Sequence, residues 1–362
     1  MKPRVFVVQP ITRAPLDVLR EVADVTVYPY MDRQITTDEL LANARRSDYL
    51  FVMHETFVPA EVINTPNLKG IGTMGGDTAF IDYAAARARN LPIVTASPNA
   101  LFGYLQITAD LTMALLLGLA YRVVEAHDYT RAGKFKQEQT MALLSQGCQG
   151  KTVGLIGYGR VAKVLVPRIR AFEMSIVYTK RNRLSPDQER NLGLEWVPDK
   201  DHVLKRADYV CIMCNYNPST DKLIGARELA LMKPTAYLIN TGRAWIVDQK
   251  ALIQALQDGT IAGAGLDVYW NEPPCTHDPE APPELYKMDN VILTPHNGDG
   301  TRDHRDEVTV SIAEGIVALI KGMQPAALVT SKYNRARFGD PRFYYFGDPR
   351  VPADLYYSGD GS

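Results

Sequence analysis

Short apolar runs alternate with stretches of helical spacing along most of the chain. Up to about residue 100, the runs at 5–8, 25–28, 49–52, 70–73 and 93–95 read as β-strands. Between them, 16–23, 38–45 and 82–89 carry helix-like patterns; Thr36 and Glu39 have capping-box spacing, and Asn90 suits a helix C-terminus. This rhythm predicts a small open parallel sheet covered by helices on both faces. A long helix pattern over 99–124 follows and is too apolar to lie on a surface. Its greasiest part, 111–121, is too short to span a bilayer and contains Gly118.

Residues 130–150 read as loop, after which the alternation resumes. Strands are predicted at 153–156, 174–178, 209–213, 236–240, 263–268 and 291–294. Helices are predicted at 161–169, 201–206, 227–232, 249–257 with Gly259 as a stop, and 302–321 ending at Gly322. The last segment, 330–362, changes character: it is rich in Tyr, Arg, Gly and Pro and repeats F-G-D-P-R at Phe338 and Phe346. It reads as an extended arm lying on its own subunit or on a neighbour, so deleting 336–362 should change oligomer mass or stability.

Composition narrows the class. A chain of 362 residues, 46% hydrophobic and 22% charged, is large enough for two ordinary globular domains. A formal net charge of −1 gives no global attraction to nucleic acid or to an acidic membrane, so neither is an expected partner. The N-terminus enters a strand almost at once without a signal-peptide layout, and the cytoplasm is the expected location. Cys148, Cys211, Cys214 and Cys275 do not make a disulfide framework. Cys211 and Cys214 form a C-x-x-C in a strand-like run, where residues three apart point to opposite faces, so neither redox chemistry nor a metal is expected there.

Residues 151–183 carry the clearest chemistry. An apolar run at 153–156 leads into Gly157, Gly159 and Ala162 in G-x-G-x-x-A spacing, then a helix pattern, then a second apolar run ending in Lys180, Arg181 and Arg183. The first glycine permits a tight turn, the second lets backbone approach a pyrophosphate, and the helix N-terminus offers free N–H groups. The unit therefore predicts dinucleotide binding. An acidic residue at the end of the second strand would accept from a ribose 2′-hydroxyl; this chain has a basic run instead, which favours a 2′-phosphate and hence NADP(H) over NAD(H).

Three further positions each follow an apolar strand: Arg243, Glu272 and His296. Parallel strands present their carboxyl ends to one crevice, so three exits can bring a cation, a carboxylate and an imidazole together. Taken singly, each also has a purely structural reading.

The motifs at 157–162, N-T-G-R at 240–243, G-A-G-L-D-V-Y-W-N-E-P-P at 263–274 and T-P-H-N-G at 294–298 together resemble the D-isomer-specific 2-hydroxyacid dehydrogenases. The basic run and T-A-D-L-T-M-A-L-L-L at 108–117 are similar to the glyoxylate/hydroxypyruvate reductase branch. The likeness spans about 50–329 and leaves out the tail. It implies an α/β fold of two doubly wound parallel-sheet domains. A Rossmann cofactor domain (101–299) is inserted into a flavodoxin-like substrate domain (1–100 plus 300–335), with 336–362 as a C-terminal arm. The implied partner is a small 2-keto or 2-hydroxy acid, and the implied assembly a homodimer through the cofactor domain.

Residue by residue, the resemblance implies His296 as general acid, Glu272 as its hydrogen-bonding carboxylate and Arg243 as the cation holding the substrate carboxylate. It implies cofactor contacts from Gly157, Tyr158, Gly159, Arg160, Val161, Lys180, Arg181, Arg183, Cys214, Asn215, Thr220, Thr241, Gly242, Asp267 and Gly298. Substrate contacts besides Arg243 are implied for the loop carrying Gly75, Gly76 and Asp77, although Asp77 also reads as the cap of a turn; His54, at the end of the third strand, reads either as a contact to a polar substrate tail or as a plain strand-end histidine. The match departs at Gly76-Asp77, where the family usually has Val-Gly, at Ala244 in place of a glycine, and at Trp270-Asn271 in place of acidic residues. A carboxylate beside a substrate carboxylate repels it unless Asp77 turns away or is paired. Trp245 and Trp270 either shape the pocket or pack. Two other readings of the same fold are a dinucleotide-sensing module of corepressor type and a family member oxidising another small anion.

Overall fold

The computed structural model describes residues 2–53, 56–74, 81–97, 100, 103–138, 140–270 and 284–328. His54, Gly75, Gly76, Asp77, Glu272, Cys275 and the 336–362 arm therefore lie outside the described residues. The chain divides into two compact units: one runs to Gly103 and resumes at Thr301, the other is Tyr104–Gly300.

The first unit holds β1 (Arg4–Val7), β2 (Asp24–Val27), β3 (Tyr49–Val52), β4 (Gly70–Thr73) and β5 (Ile93–Thr95) in a sheet of order β2-β1-β3-β4-β5. Every pairing is parallel. All four residues of both β3 and β4 are buried, as expected of strands covered on both faces. The capping box ahead of the helix Thr37–Ala44 forms: the Glu39 N–H donates to Thr36 Oγ1 at 3.2 Å, and the Thr36 N–H donates to Glu39 at 3.0 Å. The helix Arg302–Ile320 buries Val308, Ile312, Ala313 and Ile316 in this core. Gly72 leaves room for it, since a Cβ there would lie 2.6 Å from Ile316. One edge was not anticipated: the N–H of Thr95 donates to Ala327 at 3.1 Å and Val94 bridges Leu328 antiparallel, so a returning segment covers β5.

The second unit holds β6 (Thr152–Ile156), β7 (Ser175–Thr179), β8 (Leu194–Trp196), β9 (Tyr209–Ile212), β10 (Tyr237–Asn240), β11 (Gly263–Leu266) and β12 (Val291–Leu293). Their order is β12-β11-β10-β9-β6-β7-β8, and all pairings are parallel. The order reverses between β6 and β9, which is the switch point where a parallel sheet opens a crevice.

Two local expectations are corrected here. The single helix over 99–124 is two helices, Tyr104–Ala120 and Val123–Arg131, bent by 57°. Arg122 takes the left-handed conformation at φ 51° between them. The physical reason is burial: the first helix puts Leu115, Leu116 and Leu119 into the core, whereas Val123 and Val124 find no core and stay exposed. No single described helix is long and apolar enough to cross a membrane. The second correction is the helix Pro186–Leu192 and strand β8, which the apolar pattern does not reveal. Their signals are turn chemistry: Ser185 and Gln188 make a capping box, Pro186 sits in the first turn, and Gly193 closes the helix at φ 66°.

Candidate active site

Because every strand of the second unit is parallel, the exits of β6, β9, β10, β11 and β12 lie along one edge of the sheet. Gly157, Cys214, Thr241 to Arg243, Asp267 and His296 all follow those exits. Hydrogen bonds stitch neighbouring exits together: Met213 to Ile156 at 2.8 Å, Asp267 to Asn240 at 3.0 Å and Thr294 to Leu266 at 3.0 Å, each from a backbone N–H to a carbonyl.

The glycine turn has the features a dinucleotide needs. Gly157 has φ 98°, and a Cβ there would lie 2.6 Å from the backbone nitrogen of Cys214, so only glycine fits between these two strand exits. Gly159 caps the helix Arg160–Ala171, and a Cβ on it would meet only the Met213 carbonyl, at 3.6 Å. The space over the helix N-terminus is thus open on a face where N–H groups lack helical partners, which suits a pyrophosphate. Ala162 is fully buried where helix meets strand, as the third small position requires. Tyr158 is buried, its ring 5.4 Å from that of Tyr178, and Val161 is partly buried against the same cluster.

Basic residues follow β7. Lys180 Nζ sits 5.8 Å from the Tyr158 ring centroid, a cation–π distance. Arg181 is exposed. Arg183 donates from Nε and Nη2 to the two carboxylate oxygens of Glu189, at 2.8 and 2.7 Å.

Arg243 follows a turn shaped by Asn240. The Asn240 side chain accepts from the Gly242 N–H at 3.0 Å and donates to the Arg243 carbonyl at 3.1 Å. Arg243 Nη1 donates to the Gly242 carbonyl at 2.9 Å, and Thr241 meets Thr112 hydroxyl to hydroxyl at 2.8 Å. These contacts fix the backbone from which the guanidinium projects.

Asp267 organises the loop carrying His296. It is buried to 1% exposure, and its oxygens accept from Thr294 Oγ1 at 2.6 Å and from the N–H groups of Asn297 at 2.7 Å and Gly298 at 2.9 Å. Burial nevertheless raises its pKa above the ordinary aspartate value. The Gly298 carbonyl accepts from Thr108 Oγ1 at 2.7 Å. His296 is exposed and holds φ 50°, a conformation that a non-glycine residue keeps only where its surroundings impose it.

Other residues named from sequence have their surroundings defined within the chain. Thr220 Oγ1 donates to the Asn215 carbonyl at 2.9 Å and accepts from the Asn217 N–H at 2.8 Å, which folds the turn after β9. Burial pushes the Cys214 thiol up to about 11 and the Cys211 thiol to about 12, against nucleophilic or redox use near neutral pH. Trp270 packs: it is buried and its Nε1 donates to the Val247 carbonyl at 2.8 Å. Sequence reasoning missed Thr108, Thr112, Asn240 and Glu189. A pair of hydroxyls one helical turn apart in an otherwise apolar helix was the available signal for the first two.

Comparison with known proteins follows this geometry. Residues 113–298 match the family model described as D-isomer specific 2-hydroxyacid dehydrogenase, NAD binding domain. The glyoxylate reductase of Thermococcus gammatolerans is 36% identical over 337 residues, 92% of this chain and 97% of that protein. The glyoxylate reductase of Pyrococcus furiosus is 35% identical over 342 residues, 93% of this chain and 98% of its own. Among solved structures, the TT0316 protein of Thermus thermophilus aligns with TM-score 0.77 at 34% identity, covering 90% of this chain and 100% of that one. The NADPH-dependent glyoxylate/hydroxypyruvate reductase of Sinorhizobium meliloti, in complex with NADP and malonate, aligns with TM-score 0.68 at 28% identity, covering 93% and 99%. A parallel sheet with a glycine turn at its switch point, matched over most of the chain by such relatives, identifies this chain as a member of the D-isomer specific 2-hydroxyacid dehydrogenase family.

Proposed function

We propose that the protein reduces a small 2-keto acid of the glyoxylate or hydroxypyruvate type to the D-2-hydroxy acid, using NADPH in preference to NADH. The observation that carries this reading is the common sheet edge, which sets the glycine turn, Arg243 and His296 on exits of one parallel sheet. Relatives named glyoxylate reductase, and a structural neighbour named as NADPH-dependent, support the substrate class and the cofactor.

The backbone of Gly157 to Val161 would hold the pyrophosphate, and basic side chains of the turn after β7 would accommodate a 2′-phosphate. When bound, the reduced nicotinamide supplies the hydride that adds to the keto carbon. Arg243 pairs with the substrate carboxylate and draws electron density from the carbonyl, and a guanidinium fork suits that planar anion. His296, protonated, donates a proton to the carbonyl oxygen as charge develops there, so the product is a hydroxyl and the imidazole is left neutral. Glu272 is assigned to hold the imidazole in the required tautomer and favour its charged form. Asp267 keeps the His296 loop in its left-handed conformation by holding the two backbone N–H groups that follow. We also assign the protein a homodimeric state.

The test is NADPH oxidation across 2-keto acids of graded size and polarity, repeated with NADH. Turnover of one or more acids with a lower KM for NADPH supports the reading. Equal or better use of NADH sinks the cofactor assignment, and no turnover of any acid sinks the reaction. His296→Ala should lower kcat by roughly a hundredfold or more, on the usual scale of acid–base groups. Near-normal turnover by that variant removes His296 from its role.

A further inference from the structure

The turn after β7 is pinned at both ends by one buried carboxylate. Glu189, on the helix Pro186–Leu192, is 6% exposed. It accepts from Tyr178 Oη at 2.8 Å and from Arg183 Nε at 2.8 Å on one oxygen, and from Arg183 Nη2 at 2.7 Å on the other. Tyr178 Oη in turn accepts from the Leu184 N–H at 3.1 Å, which ties the end of β7 to the far side of the turn. The Arg183 guanidinium also lies 4.6 Å from the Trp196 ring centroid, so one face is covered. Arg183 holds the Glu189 carboxyl below its ordinary range, while burial pushes the Tyr178 phenol up to about 12. The three groups therefore keep one set of charges at neutral pH. Arg181 stands at the tip of the same turn, exposed, and among the described residues it makes no hydrogen bond or ion pair.

We infer that the two arginines divide their work: Arg181, with Lys180 beside it, receives the cofactor's 2′-phosphate, while Arg183 is a positioning residue clamped by Glu189. This assignment rests on the NADP(H) reading above. A phosphate drawing Arg183 away would leave a buried carboxylate uncompensated, which proteins resist strongly. A phosphate approaching Arg183 in place would meet a cation already neutralised by Glu189. Arg181 carries neither burden, and the clamp holds the turn so that its guanidinium is presented outward. The neutral amide pair of Gln at both 183 and 189 retains hydrogen-bonding groups without the charges, which separates the two roles experimentally.

The experiment measures dissociation constants of NADPH and NADH, by titration calorimetry, for the full-length wild type, Arg181→Gln, Arg183→Lys and the double variant Arg183→Gln/Glu189→Gln. Arg181→Gln should weaken NADPH by at least about tenfold, as expected for lost charge-assisted bonds, and leave NADH within about twofold. The double variant should keep the wild-type NADPH-to-NADH ratio. Arg183→Lys, which keeps the charge but loses the fork, should lower Tm and weaken both cofactors alike. If NADPH alone weakens in Arg183→Lys or in the double variant, or if Arg181→Gln changes nothing, the division of roles is overturned. If the wild type binds NADH as tightly as NADPH, the NADP(H) reading itself fails and this assignment falls with it. A wild type that prefers NADPH, with the loss tracking Arg183, overturns this inference alone.

Discussion

Gly157 and Asp267 show how single residues set the sheet edge. At Gly157, replacement by alanine meets two penalties at once: φ 98° is foreign to an L side chain, and the new methyl would sit 2.6 Å from the Cys214 nitrogen. Strain of this kind costs roughly 1–3 kcal/mol. Gly157→Ala should therefore lower Tm and, because the β6 exit must move, abolish detectable dinucleotide binding by calorimetry. Unchanged binding would show that the turn tolerates a side chain and does not hold the pyrophosphate. Asp267→Asn removes acceptors from a buried site while Thr294 and two backbone N–H groups still need them. Leaving one such donor unpaired costs about 1–3 kcal/mol. The variant should lose stability on that scale in denaturant unfolding and should lower kcat, since the His296 loop loosens. The strand exits that carry the glycine turn, Arg243 and His296 were legible in the sequence because their motifs are local. Thr108 and Thr112 were not, because their partners lie 190 and 129 positions away and are brought to them only by folding; Glu189 was not, although its partners are only 6 and 11 positions away, because it sits on a helix that the apolar pattern does not reveal.

Among elements, those with strong periodicity or caps were legible and those with neither were not. The helix Gln249–Gln257 and strands β3, β4 and β5 follow their apolar patterns closely. The helix Pro186–Leu192 is the opposite case: seven polar-rich residues declared only by Ser185, Pro186 and Gly193. Its importance lies in carrying Glu189, whose titration should be visible in stability. Arg183 lowers the Glu189 pKa from the ordinary 4.5, so the folded protein binds that proton more weakly than the unfolded chain. The stabilisation is therefore complete above the ordinary glutamate range and is lost as pH falls from there through the lowered folded value. Melting of the wild type and of the double variant Arg183→Gln/Glu189→Gln, from about pH 6 to about pH 3, reads this directly. The wild type should show the steeper acid loss; parallel curves would mean the pair contributes nothing through its charge.

At the scale of the whole molecule, the described residues of the second unit include a set of exposed apolar side chains. Tyr121, Val123, Val124, Met141 and Leu144 are between 45% and 75% exposed. They share a face because Arg122 ties the helix break to the later segment, donating to the carbonyls of Ala142 and Leu144 at 3.4 Å each. The Gly147 N–H closes the same loop onto the Ala120 carbonyl at 3.1 Å. An apolar face of this kind is normally covered by another protein surface, and a second copy of the same chain is the commonest partner. The sequence predicted one helix here because the apolar pattern continues past Ala120, but its last residues are exposed and not in the core. A Met141→Glu/Leu144→Glu variant places two charges on that face without touching a buried side chain, so the fold should hold. Sedimentation equilibrium should give twice the chain mass for the wild type and the single chain mass for the variant, with Tm scarcely lower in the isolated subunit's own transition. A wild type of single chain mass would reject the homodimer, and a variant that still pairs would move the interface elsewhere on the molecule.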